Sequence, residues 1–149
     1  NVAKPDPQAF ATVDAAVAAY ADNGAIPTSW SDWSAAEQMR FLDNIPKQRT
    51  AAQLAALNDA LGLAETGNNE VLFLWLELAL ANRYEPAVPQ AEQFLARVGR
   101  AKFVRPLFQV LWNEGDWGRP IAKRIYAKTR PSYHAVTRGA VDRVLGVTG

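Results

Sequence analysis

The residues best suited to chemistry in this chain are cations. Arg97, Arg100, Lys102 and Arg105 crowd around Gly99, a residue type that commonly ends a helix. Cations on short, defined backbone beside a helix start can hold a carboxylate, Arg through a two-pronged hydrogen bond and Lys as a point charge. The same residues also suit a solvated cationic face near a helix C-terminus, where the helix dipole favours positive charge. By residue type and spacing alone, that plainer reading is the stronger. Nucleic-acid binding would need basic residues interleaved with exposed aromatics or a helix-turn-helix pattern. Phe103, Phe108 and Trp112 instead fall at helical spacing and read as core.

Other chemistry has little to stand on. Glu65 and Glu70 flank a turn, and Glu114 and Asp116 flank Gly115, but neither pair lies in a motif with a nucleophile or a ligand set. The phosphate-binding, dinucleotide-binding, G-x-S-x-G and H-E-x-x-H patterns are all missing from the sequence. There is no cysteine and one histidine, His134, whereas a zinc site usually takes at least two His or Cys ligands. The expectation is no metal and no catalytic residue in this chain, with His134 a structural residue or helix cap. The five Trp are expected mostly to anchor helix packing; Trp30 and Trp33, in a loop, are alternatively placed to meet a second domain.

Positioning those cations falls to a chain of 149 residues, long enough for one domain or two very small ones. At 49% hydrophobic and 21% charged, with the apolar residues spread throughout, it reads as a soluble globular protein. The net charge of +1 conceals an uneven distribution. Residues 1–96 hold five Lys and Arg against twelve Asp and Glu, net −7, and residues 97–149 hold eleven against three, net +8. A cationic end suits an anionic ligand, nucleic acid or an acidic neighbouring surface. No apolar run reaches the roughly 18 residues a spanning helix needs, and NVAKPDPQAF lacks the character of a signal peptide, so no membrane association is expected. Asn at position 1 suggests a processed form or a fragment of something longer.

Helical preference runs nearly throughout: Ala, Leu, Glu and Gln dominate and apolar residues recur at three and four. A first helix is expected from about Pro7 to Asp22, with Phe10, Val13, Val17 and Tyr20 on one face, ending at Asn23-Gly24. Ser34 with Glu37, and Thr50 with Gln53, form capping boxes for the next two helices, which stop before Pro46 and at Gly62. Asn68 or Asn69 caps a helix whose stretch Val71–Leu80 is apolar almost all round and therefore buried on several sides. Further helices are expected over Glu85–Val98 (with Pro89 a weak point and Gly99 the C-cap), AKFVRPLFQVLWNE, Pro120 to Lys128 and Ala135–Leu145. Short turns between helices of this length suggest antiparallel pairs in two layers.

From Asn68 onward, NNEVLFLWLELALANRYEPAVPQAEQFLARVGRAKFVRPLFQVL resembles the C-terminal helical domain of leukotriene A-4 hydrolase and its relatives among the gluzincin zinc aminopeptidases, including aminopeptidase B. WSAAEQMRFLDNI, RTAAQLAALNDALGL and YAKTRPSYHAVT resemble other helices of the same domain, so the likeness covers roughly Ser34 to Arg138 and is most specific in GRAKFVRPLF. It implies an all-α fold, a two-layer right-handed α-α superhelix of HEAT or armadillo type. Residues 34–149 would form the family domain, with 1–33 an N-terminal helix and loop. In that family the zinc, its H-E-x-x-H ligands and the proton donor belong to a separate, preceding peptidase domain.

The resemblance further implies that the helical domain forms one wall of the peptide cleft, and that Arg100 and Lys102, by the pattern G-R-x-K-F-x-R-P, receive the substrate's free carboxylate with Arg105 as support. Leu72 and Leu74 stand where the hydrolase has basic residues, and Ala135 replaces a proline. The expected partners are the peptidase domain of the same polypeptide and a peptide, with zinc only in that other domain. The alternatives are a free-standing helical-repeat module for protein binding and, more weakly, a nucleic-acid module using the basic end.

Overall fold

Some helix ends of the chain follow local capping chemistry, and others are set by residues distant in sequence. The structure is a computed structural model that describes residues 7–147; the sequence reading of the N-terminus as lacking a signal peptide falls largely outside them. Its α-helices are α1 (Pro7–Asn23), α2 (Ala35–Asn44), α3 (Ala51–Leu61), α4 (Asn69–Ala81), α5 (Ala87–Arg97), α6 (Ala101–Asn113), α7 (Gly115–Thr129) and α8 (Ala135–Leu145). Single 3-10 turns occupy Trp30–Asp32, Leu63–Glu65 and Arg130–Ser132. There is no strand among the described residues. The chain divides into two compact units, one reaching to Trp75 and the other starting at Leu76, inside α4.

In the first unit both capping boxes form. Ser34 Oγ accepts from the Glu37 amide at 3.2 Å while Glu37 Oε1 accepts from the Ser34 amide at 2.9 Å, and Thr50 with Gln53 repeats this at 3.1 and 2.8 Å. Each box satisfies two backbone donors that a helix start leaves unpaired. Gly62, at φ 63°, ends α3 in the left-handed conformation that glycine adopts at little cost. Val13, Tyr20, Phe41, Ile45, Leu54 and Leu57 are buried. Trp30 and Trp33 pack on Phe41 at 6.0 and 5.9 Å between ring centroids, so these indoles serve this unit's own core.

Asn68 caps α4, its Oδ1 accepting from the amides of Glu70 and Val71 at 2.9 and 3.1 Å. Val71, Leu72, Trp75, Leu76, Leu78, Ala79 and Leu80 are all buried, as a helix without a polar face requires.

In the second unit Pro89 falls in the first turn of α5, where its missing N–H costs nothing. Three expectations are revised here. The helix expected from Pro120 begins instead at Gly115, which makes Pro120 an interior residue. That start depends on Gly118: a Cβ there would lie 1.9 Å from the Leu111 carbonyl oxygen, so only glycine lets the first turn of α7 close against the end of α6.

The second correction is Gly99, which is not a left-handed cap. Val98, extended at φ −109° and ψ 119°, caps α5, and the chain runs in extended form through Arg100, at φ −74° and ψ 130°, into α6. Trp112 is also less buried than its spacing suggests. The Arg119 guanidinium lies 4.6 Å and the Lys123 ammonium 5.8 Å from its ring centroid, so cations from α7, rather than core, meet this indole.

Candidate functional site

The cations singled out by the sequence collect at the corner between α5 and α6, but on helix ends of opposite polarity. Arg97 is in the last turn of α5, where positive charge complements the dipole. Arg100 is the N-cap of α6 and Lys102 its second residue, where positive charge opposes the dipole. The first turn of α6 holds no acidic residue, and Arg100 makes no side-chain capping bond. The reading as a cationic face at a helix C-terminus therefore holds for Arg97 and fails for Arg100 and Lys102.

Aromatic packing underlies the corner. Phe94 of α5 and Phe103 of α6 are buried and meet edge to face at 5.8 Å. The Arg97 guanidinium lies 5.6 Å from the Phe94 ring centroid and the Lys102 ammonium 4.8 Å from that of Phe103. Each apolar ring thus supports a cation whose head stays at the surface. Arg105 is exposed, one turn beyond Lys102 on α6. Arg100 and Arg105 have no carboxylate partner among the described residues. Three acids of the second unit are paired with other cations: Glu92 with Arg124 and Lys128 at 2.6 and 3.1 Å, Glu114 with Arg83 at 2.9 Å, and Asp142 with Arg130 at 2.9 Å.

The loop that presents Arg100 is held by residues the sequence reading did not connect with it. Tyr133 Oη donates to the Leu95 carbonyl at 2.7 Å, and Thr137 Oγ1 donates to the Gly99 carbonyl at 2.8 Å. Both side chains are buried, and burial pushes the Tyr133 hydroxyl pKa up. Behind them Tyr126 stacks on Tyr133 at 6.3 Å and donates to Asp142 Oδ1 at 2.5 Å, while Arg130 grips the same carboxylate through two hydrogen bonds of 3.1 and 2.9 Å. Burial, then the Asp142 carboxylate, raises Tyr126 to about 12. The hydrogen bonds from Arg130 and then Tyr126 hold Asp142 below the usual carboxylate range.

These residues do not fit a zinc site. Among the described residues no group of three or more His, Cys, Asp or Glu could hold a metal ion, and His134 is exposed at the start of α8, its ring making no capping bond. Nor is any described helix long and apolar enough to cross a membrane.

Comparison with known proteins identifies this arrangement of helices. The sequence model described as "Leukotriene A4 hydrolase, C-terminal" matches residues 33–145. The leucine aminopeptidase 2 proteins of Neurospora crassa and Pyricularia oryzae are 33% and 32% identical to the chain over 125 and 119 residues, covering 82% and 78% of it but only 18% and 19% of their own length. The chain thus spans about a fifth of these curated relatives. The structure of native yeast LTA4 hydrolase superposes with a TM-score of 0.70 at 19% identity, over 97% of this chain and 28% of the yeast chain, which shows a shared helical fold. With most of its length matched by the family's own model, the chain belongs to the leukotriene A4 hydrolase C-terminal domain family, within the leukotriene A4 hydrolase and aminopeptidase group.

Proposed function

We propose that this chain is the non-catalytic C-terminal domain of a zinc aminopeptidase, that it forms one wall of the peptide cleft, and that Arg100 and Lys102 anchor the free carboxylate of the substrate, with Arg105 adding charge nearby. The single observation that carries the carboxylate role is the placement of Arg100 and Lys102 at the start of α6. Cations there are opposed by the helix dipole, the first turn holds no acidic residue, and a bound carboxylate would offset that opposition and pair with the Arg100 guanidinium. An Arg fork and a Lys point charge suit a planar anion better than either alone. Remote binding of this kind selects and aligns a peptide, while the chemistry falls to a peptidase domain of the same polypeptide that carries the zinc.

Two measurements test the domain assignment. The reading frame upstream of Asn1 is expected to run into an H-E-x-x-H motif; a coding sequence without one would favour a free-standing protein-binding module. The chain joined to that peptidase domain is expected to hold zinc and release N-terminal residues, and the 149-residue chain alone to do neither. One tightly held zinc per isolated chain, with peptidase activity that a chelator abolishes, would contradict the assignment.

A further inference from the structure

We infer that Thr137, seconded by Tyr133, is a positioning residue for the carboxylate anchor: it fixes the peptide unit from which Arg100 projects. The inference rests on the proposed role of Arg100. The Gly99 carbonyl that accepts from Thr137 Oγ1 at 2.8 Å belongs to the same planar peptide unit as the Arg100 amide. Holding that oxygen therefore sets the orientation of the chain entering Arg100. Glycine is the residue least able to set it unaided, because its φ and ψ are the least restricted, and nothing but Tyr133 Cδ1, at 4.0 Å, lies near where a side chain of Gly99 would be.

Tyr133 secures the other side of the same loop. Leu95 is in the last turn of α5, where carbonyls lack intrahelical partners, and its oxygen accepts from the Tyr133 hydroxyl at 2.7 Å. Both clamps come from the segment Arg130–Leu145 and neither lies among the four cations. Thr137 is 4% exposed and so out of a ligand's reach. It would act on binding only through the backbone it holds.

The test uses Thr137→Val, which removes the hydroxyl and keeps the shape, and Thr137→Ser, which restores the donor. Tyr133→Phe removes the second clamp and stands in if the valine variant does not fold. The first readout is amide hydrogen exchange across residues 98–103 in the chain joined to its peptidase domain. The expected result is exchange several-fold faster at this loop in Thr137→Val, unchanged in α2 and α3, and near wild type in Thr137→Ser.

The second readout is the preference, in kcat/KM, for a tripeptide over its C-terminal amide, which should fall roughly three- to tenfold in Thr137→Val, chiefly through KM, with Thr137→Ser recovering most of it. Unchanged exchange at the loop would overturn the clamp, whatever the anchor does. Faster exchange with an unchanged preference, while Arg100→Ala abolishes that preference, would overturn the positioning role alone. Faster exchange with no loss of preference in Arg100→Ala itself would overturn the anchor, and the inference with it.

Discussion

Gly118→Ala should be among the most damaging single substitutions in the chain, although it adds only one methyl group. The new Cβ would lie 1.9 Å from the Leu111 carbonyl oxygen and 2.8 Å from its carbon. Ordinary contact begins near 3.4 Å, so about 1.5 Å must be found between two stretches of backbone, and no side chain can rotate away to provide it. Overpacking costs about 1–3 kcal/mol where side chains can adjust, and more where they cannot. Alanine recovers about 1 kcal/mol over glycine in helix propensity. The net expectation is a loss of about 2–4 kcal/mol, or roughly 6–13 °C in Tm for a chain of this size. Gly139→Ala is the internal control: in α8, its Cβ would meet only the Arg143 Nη2 atom at 3.7 Å, so it should gain about 0.5–1 kcal/mol. Urea denaturation followed by far-UV circular dichroism measures both. A Gly118→Ala midpoint no lower than that of Gly139→Ala would refute the steric account of the turn between α6 and α7.

Further expectations concern pH and caps. Tyr126, raised from 10.0 to about 12, should contribute stability that is complete below pH 10 and lost as pH rises from about 10 to 12; ultraviolet titration of wild type should show a late tyrosinate that Tyr126→Phe removes. Asp142, held low by Arg130 and Tyr126, should contribute stability that is present above the ordinary carboxylate range and lost as pH falls through its depressed pKa, and Asp142→Asn should flatten this acid limb of the stability curve. Ser34→Ala and Thr50→Ala should each cost about 1 kcal/mol in urea melts, since each removes the acceptor of a capping box in which both hydrogen bonds are formed.

What could be read from the sequence was what is decided locally. The capping boxes need only residues three apart, Gly62 ends α3 because a left-handed residue is wanted there, and the apolar stretch of α4 is buried because it has no polar face to expose. Where distant residues decide, local signals misled. Pro120 carries the signal of a first helical residue, yet α7 begins at Gly115 because Gly118 can approach Leu111. Gly99 looks like a left-handed cap, but its loop is held open by Tyr133 and Thr137, each bonded to a residue 38 positions away. The cationic cluster was legible as a cluster. That Arg97 ends one helix while Arg100 and Lys102 begin the next depends on the same loop, and that polarity separates a favourable surface charge from a candidate anion site.

The most direct test of the carboxylate anchor is kcat/KM for a tripeptide and for its C-terminal amide, in the chain joined to its peptidase domain, for wild type, Arg100→Ala and Lys102→Ala. Charge-assisted hydrogen bonds worth about 1.5–3 kcal/mol each predict a loss of roughly 10- to 100-fold on the tripeptide, larger for Arg100→Ala because only Arg offers paired donors. The amide, which never makes the contact, should lose little, and Tm should hardly change because Arg100 and Lys102 are exposed. Equal losses on the two substrates, or a large fall in Tm, would contradict the anchor and assign these residues to the structure instead.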